Sequence, residues 1–506
     1  MYRLLISIAV AVSLHAGVIH GVVLEQASGR PLARTVVRLE PVPKPNVNSG
    51  PPVATRAGRS GQFIFQGVAP GFYLLSGSRT GYFPAAYGQR LPIGRGTPIE
   101  VTADSNFFTE LRLRHKGALT GRILDENGVA TAGIPVVAYR ARLPLRSAGT
   151  ATSDDRGVYR IHGLDPGKYW VRSGAQTLDD GSGWLPTFGP QAREVRDARI
   201  HQVTVDSDTA DADISPEPGA LFRIGGVVTC DTPGLVTVTL SSETGRRRVQ
   251  TGCGFPYTYA FEALSPTVYE LSATIQNAPS AGFLELFVDR DTESANIQIL
   301  QLPPVEIEVR HAGSNAVANI PVTLIGRRQD LSESEPEREI ASPRASLQPG
   351  HWEFRARLPA GHYVESIVNL RVMSRRLAKP ERPSDWFDVF IEPRVPARIR
   401  ITVSDQAGQI VGRVLGEASK PVPGVPVFLW PVAESARRSL SGPLQVLSDT
   451  DGRFRFESLP AGDYRVLASF DVNEIDWDLL EVSRAPVVRA EASQTANIDL
   501  PVWIAP

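Results

Sequence analysis

Between Ser448 and Ala468 apolar and polar side chains alternate in two short runs. Phe454 and Phe456 alternate with Arg453 and Arg455, and Tyr464, Val466 and Ala468 alternate after Pro460-Ala461-Gly462. A period of two is that of a half-buried strand, and Asp451-Gly452 ahead of the first run admits the positive φ of a tight turn. Leu459 plugs the end of the first strand and the Pro-Ala-Gly segment reverses the chain. The pattern predicts a β-hairpin lying on a core.

The chain writes this stretch five times. Gly61, Phe63, Phe65, Val68, Gly71 and Tyr73 repeat its offsets, as do Gly157, Tyr159, Ile161, Leu164, Gly167 and Tyr169. A third copy keeps Tyr259, Phe261, Leu264 and Tyr269 but has Tyr257 and Thr267 where the glycines should be. A fourth is read as Trp352, Phe354, Leu358, Gly361 and Tyr363, with one extra residue before Leu358, as a bulge would require. Upstream of each copy lies a strand, turn, strand pattern such as Gly412-Arg-Val-Leu with Gly424-Val-Pro-Val-Phe-Leu429. Downstream lies a closing strand: Leu111-Arg-Leu113, Ala212-Asp-Ile214, Ala295-Asn-Ile-Gln-Ile299, Phe387-Asp-Val-Phe-Ile391 and Ala496-Asn-Ile-Asp-Leu500. A motif returning about every hundred residues is an internal repeat of the length of one small sandwich domain.

The order Gly-x-Val, small-x-Pro-Val, Asp-Gly-x-Phe-x-Phe, Leu-x-Pro-Gly-x-Tyr resembles the carboxypeptidase regulatory-like domain, a transthyretin-like sandwich akin to Cna B-type and starch-binding-like modules. The resemblance implies a fold, because its motif residues are turns and core, and modules of this kind do no chemistry themselves. The expectation is an all-β tandem array of five transthyretin-like or immunoglobulin-like β-sandwich domains. They run over 17–114, 115–217, 218–302 (the divergent one), 303–395 and 396–506.

Composition adds little to this and excludes some functions. The 44 Gly and 41 Pro suit many short strands and turns, and 53 basic against 54 acidic residues leave no basic field for nucleic acid or anionic lipid. Residues 1–16 have a basic start, an apolar stretch from Leu4 to Leu14 and small residues at Ala11, Ser13 and Ala16, as a secretory signal does. The mature chain is expected to be exported to the periplasm, cell surface or medium, without membrane insertion. Cys230 and Cys253 fall in one unit, and an exported pair is expected to be bridged, a bond that by loop entropy contributes about 3 kcal/mol. Two buried free thiols are the alternative.

A search for chemistry finds no catalytic set, metal set or cofactor motif. His362-Tyr-Val-Glu365 matches the His-x-x-Glu of zinc carboxypeptidases in letters, but no further histidine completes a three-ligand site. The acidic stretch 206–213 lacks the glycine and bidentate Glu of an EF-hand and reads as a solvated turn, with a calcium loop as the lesser alternative; the similar stretch 471–478, which carries a Trp, leaves that alternative slightly stronger. The isopeptide crosslink of some Cna B-type domains needs a Lys on the first strand, and none stands there. Two loops share an aromatic, Pro, aromatic-Gly order: Tyr82 with Tyr87, and Trp184 with Phe188. Rings on loops can stack on sugars. The competing reading is that they fold back onto the sandwiches.

These observations predict a non-catalytic exported protein that binds carbohydrate or the cell envelope through Tyr82, Tyr87, Trp184 and Phe188. Its partner is then a polysaccharide or a cell-envelope protein. A purely structural spacer is the alternative, and an accessory subunit of a peptidase or outer-membrane receptor a third reading.

Overall fold

The computed structural model describes residues 17–505, apart from 46–49, 92–93, 142–144, 179–181, 232, 243–244, 255–256, 277, 315, 330–335, 372–385, 393–394, 441–443, 474 and 476. The expected leader lies outside the described residues. The chain is a tandem array of two-sheet β-sandwiches. Five large apolar cores follow one another, drawing on residues 19–113, 119–214, 224–299, 305–403 and 410–500.

The fifth sandwich shows how the motif folds. Its opening strand, Gly408–Leu415, pairs antiparallel with Arg453–Leu459 and parallel with Thr495–Asn497 and Leu500–Pro501. The facing sheet has the order Gln445–Leu447, Pro426–Pro431, Gly462–Ala468, Val487–Ala490. Arg453–Leu459 and Gly462–Ala468 therefore belong to opposite sheets, and the expected hairpin is an arch. An arch and a hairpin share the same alternation in sequence. Here Phe454 and Phe456 on one sheet and Tyr464 and Val466 on the other are all closed to solvent in one core.

Two glycines of the motif have a physical cause. A Cβ on Gly412 would sit 1.7 Å from the Ile498 carbonyl oxygen, so the closing strand can lie this near only where no side chain intervenes. Gly452 holds φ +71°, its N–H bonds to the Asp449 carbonyl, and its own carbonyl accepts the Val414 N–H at 2.7 Å. Gly61 and Gly157 are equally left-handed, at +77° and +70°. The Asp449 carboxylate tightens the turn by accepting the N–H groups of Asp451 and Arg453.

The fourth sandwich departs from the expected alignment. Gly350–Arg357, which carries Trp352 and Phe354, pairs with Thr323–Gln329 and Phe387–Ile391 and so occupies the place of the tyrosine strand. Its true motif is Leu347-Gln-Pro-Gly350-His-Trp352, with Trp352 standing for Tyr. Tyr363–Asn369 is an added edge strand pairing with Ala397–Ser404. Ala397–Ser404 runs parallel to the opening strand Pro304–His311 and shares the fourth core. The closing strand is thus 397–404 and not 387–391, and the fourth sandwich extends past the division expected at 396.

Successive sandwiches touch. Asp206 accepts the His115 N–H at 2.6 Å and pairs with Arg114 between the first and second, and Arg328 pairs with Glu270 at 2.6 Å between third and fourth. The Gly361 N–H donates to Ser458 Oγ at 3.0 Å between fourth and fifth. The first also meets the fifth. Arg90 Nη1 pairs with Asp471 Oδ2 at 2.9 Å, the Arg95 N–H donates to the Phe470 carbonyl at 2.9 Å, and the Thr450 N–H donates to the Pro43 carbonyl at 3.1 Å. Gly424 abuts Val42 and Pro98 at the same contact, and Val42 is only 1 % exposed.

Candidate functional site

The four aromatic rings proposed for stacking are not brought together. Trp184 is 6 % exposed and belongs to the second core, while Phe188 is 3 % exposed among Tyr139, Leu145 and Ala192. Trp184 offers no face to a ligand, and Phe188 leaves only a small part of its surface open. Tyr82 and Tyr87 are half-buried against the first core, Tyr87 edge-on to Phe107 with ring centres 5.3 Å apart. Both loops fold back onto their own sandwiches, because rings of this size gain more from burial than from exposure.

Tyr82 also belongs to a polar cluster that superficially suggests catalysis. Its hydroxyl donates to Glu25 Oε1 at 3.2 Å, and its ring lies 4.2 Å from that of His115, which bonds the same carboxylate. Ser28 and Arg30 donate to the other oxygen, Oε2. Glu25 itself is buried. The Ser28 hydroxyl first, then His115, Arg30 and Tyr82, pull its carboxyl down to about 2 against the opposing cost of burial. Every donor converges on the carboxylate and Ser28 does not bond His115, so no nucleophile-to-base relay is present. The cluster ties the end of the opening strand to the last residues of the closing strand.

The other candidate residues are likewise spent on structure. Asp206, Asp208, Asp211 and Asp213 receive Arg114, Arg160, Arg199 and the Arg122 N–H respectively, which leaves no converging oxygen cage for calcium. Asp471 of the second acidic stretch takes Arg90 and the Ala505 N–H. His362 Nδ1 is 3.3 Å from the Ala360 carbonyl oxygen. Among the described residues no three His, Cys, Asp or Glu side chains gather as a metal site requires, and no helix is long and apolar enough to cross a membrane. Cys230 and Cys253 are bridged, their Cα atoms 6.1 Å apart, with both sulfurs against the third core.

Concave surface lies at the flanks of the third sandwich, and of the four rings only Phe188 reaches it. A cleft of about 1210 Å³ separates it from the second, with Phe188 in its wall and five arginines against one acid, Glu194, along it. Several of these cations are already engaged: Arg193 pairs with Glu217, Arg196 with Glu194, and Arg172 lies 5.2 Å over the Phe188 ring. A second hollow of about 440 Å³ lies between the outer face of the third sandwich and the fourth. The sequence signal for it is the alternation Val236, Thr237, Val238, Thr239, Leu240, whose Val and Leu face the core and whose threonines face out.

No family model matches the chain, and no curated protein matches it. Solved structures similar to it include a minor pilin of Streptococcus agalactiae, 12% identical over 39% of this chain and 95% of that one, with a TM-score of 0.24. The shaft pilin of Lactobacillus rhamnosus GG is 13% identical over 40% of this chain and 96% of that one, with a TM-score of 0.22. The TIE protein of Bacillus anthracis is 9% identical over 76% of this chain and 72% of that one, with a TM-score of 0.17.

Proposed function

We propose that the chain is an exported, non-catalytic scaffold of the cell envelope, built of five sandwich domains divided near residues 115, 218, 303 and 405. The observation that carries this reading is that motif after motif resolves into turn, core or contact between sandwiches, including the contact of the first with the fifth. Burial of Trp184 and Phe188 favours a scaffold over a module that stacks sugars on its loops. The apolar leader and the cysteine bridge fit an oxidising compartment outside the cytoplasm.

Fractionation of cells expressing the full chain tests the reading. The expected result is a mature protein starting near residue 17, recovered outside the cytoplasm with no thiol open to alkylation. An unprocessed, cytoplasmic protein with two alkylatable cysteines would overturn it.

A further inference from the structure

The hollow beside the third sandwich has the chemistry of a ligand site. Strand register places Gln250, Thr237 and Thr274 in one row across three strands, and Arg248, Thr239 and Ser272 in the next. Residues directly opposite in antiparallel strands share a face, so hydroxyls, amides and a guanidinium form one continuous patch. Val236, Val238 and Leu240 between them go to the core. A wall rises from the fourth sandwich, where Gln348 and Arg328 overhang the strands. Arg328 is fixed there by the Pro349 carbonyl at 3.0 Å, by Glu270 at 2.6 Å and by the Phe283 ring at 5.2 Å.

The charge in this hollow has one sign. Its lining includes three arginines, Arg246, Arg248 and Arg328, and no carboxylate, in a chain whose net charge is −1. Glu270, the acid of the adjoining row, is engaged by Arg328. Arg248 is exposed and makes no ion pair among the described residues. Hydroxyls and amides both donate and accept, as sugar hydroxyls require, while guanidinium forks match carboxylates bidentately. Leu235 is the one large apolar side chain in the lining, so an acidic peptide would find no pockets for its side chains. The volume is that of a small-ligand site.

We propose that this hollow binds an acidic oligosaccharide, a carboxylate on Arg248 and its hydroxyls on the Thr, Ser and Gln rows. The inference deepens the scaffold reading by naming what the scaffold holds. Calorimetry of the mature chain with a short oligogalacturonate tests it, with a neutral cello-oligosaccharide and a short polyglutamate as comparison probes. The expected result is salt-sensitive binding of oligogalacturonate alone. Arg248→Ala and the near-isosteric Thr239→Val should each weaken it by about tenfold with the melting temperature held. Absence of oligogalacturonate binding overturns the inference, as does affinity unchanged in both variants. Equal binding of polyglutamate overturns it in favour of an acidic peptide. None of these results touches the scaffold reading, which stands or falls on export and processing.

Discussion

One aromatic donor recurs at the same place in all five sandwiches. The hydroxyls of Tyr73, Tyr169, Tyr269 and Tyr464 donate to the carbonyl four residues earlier, at 2.9, 2.7, 3.2 and 2.7 Å, and Trp352 Nε1 does the same to Gln348 at 2.8 Å. The ring fills the core while its polar tip pins the arch that crosses between sheets. Tyr464→Phe keeps the ring and removes the bond, and denaturant unfolding of the isolated change should show a loss of about 1 kcal/mol. Gly452→Val should cost more than about 1 kcal/mol, because a branched side chain is forced to φ +71° with its Cβ 2.9 Å from the Val414 carbonyl oxygen. At Glu25 the folded carboxyl is held near 2, below its ordinary 4.5. Its contribution to stability is therefore complete above about pH 4.5 and falls away as the pH drops through 2. In an acid titration followed by circular dichroism, the wild type should exceed Glu25→Gln at neutral pH and converge with it near pH 2. A gap that persists at pH 2 would contradict this.

At the scale of elements, the opening strand of the first, second, fourth and fifth sandwiches lies between an antiparallel neighbour and a parallel closing strand, while in the third it is split, Phe222–Gly226 pairing antiparallel with Tyr259–Leu264 and Val228–Cys230 parallel with Ile297–Gln301. Much of this was legible, since turn glycines, alternating apolar positions and closing strands leave local traces. What was not legible is which strands pair. Strands in opposite sheets and strands in one hairpin bury the same alternate residues, so periodicity alone cannot separate them. The fourth repeat misled for a related reason. Its first strand lacks the aromatic pair, and Trp352 with Phe354, stacked at 5.7 Å, supplies that pair from the facing sheet. The aromatic loops were visible as a matched pair, but burial depends on contacts distant in sequence. Trp184→Ala should cost about 3–5 kcal/mol through the cavity it leaves in the second core. A melting temperature unchanged by that substitution would return the ring to the candidate binding residues.

At the scale of the molecule, the first sandwich meets the fifth, so the array closes on itself and is not an extended stalk. Asp471 is the pivot of that closure, its side chain 5 % exposed and holding both Arg90 and the Ala505 N–H. Gly94 lies flat against the Phe470 carbonyl, where a Cβ would approach to 2.8 Å. Gly94→Trp should therefore part the first sandwich from the fifth without disturbing either core. Small-angle scattering of the mature chain tests this most directly. Five bodies of about 13 Å radius of gyration each, joined in a closed cycle, give about 30 Å overall, whereas the same five in line give about 50 Å. The account predicts the smaller value for the wild type and an increase on Gly94→Trp; a wild-type value near the larger one, unmoved by the substitution, would contradict it.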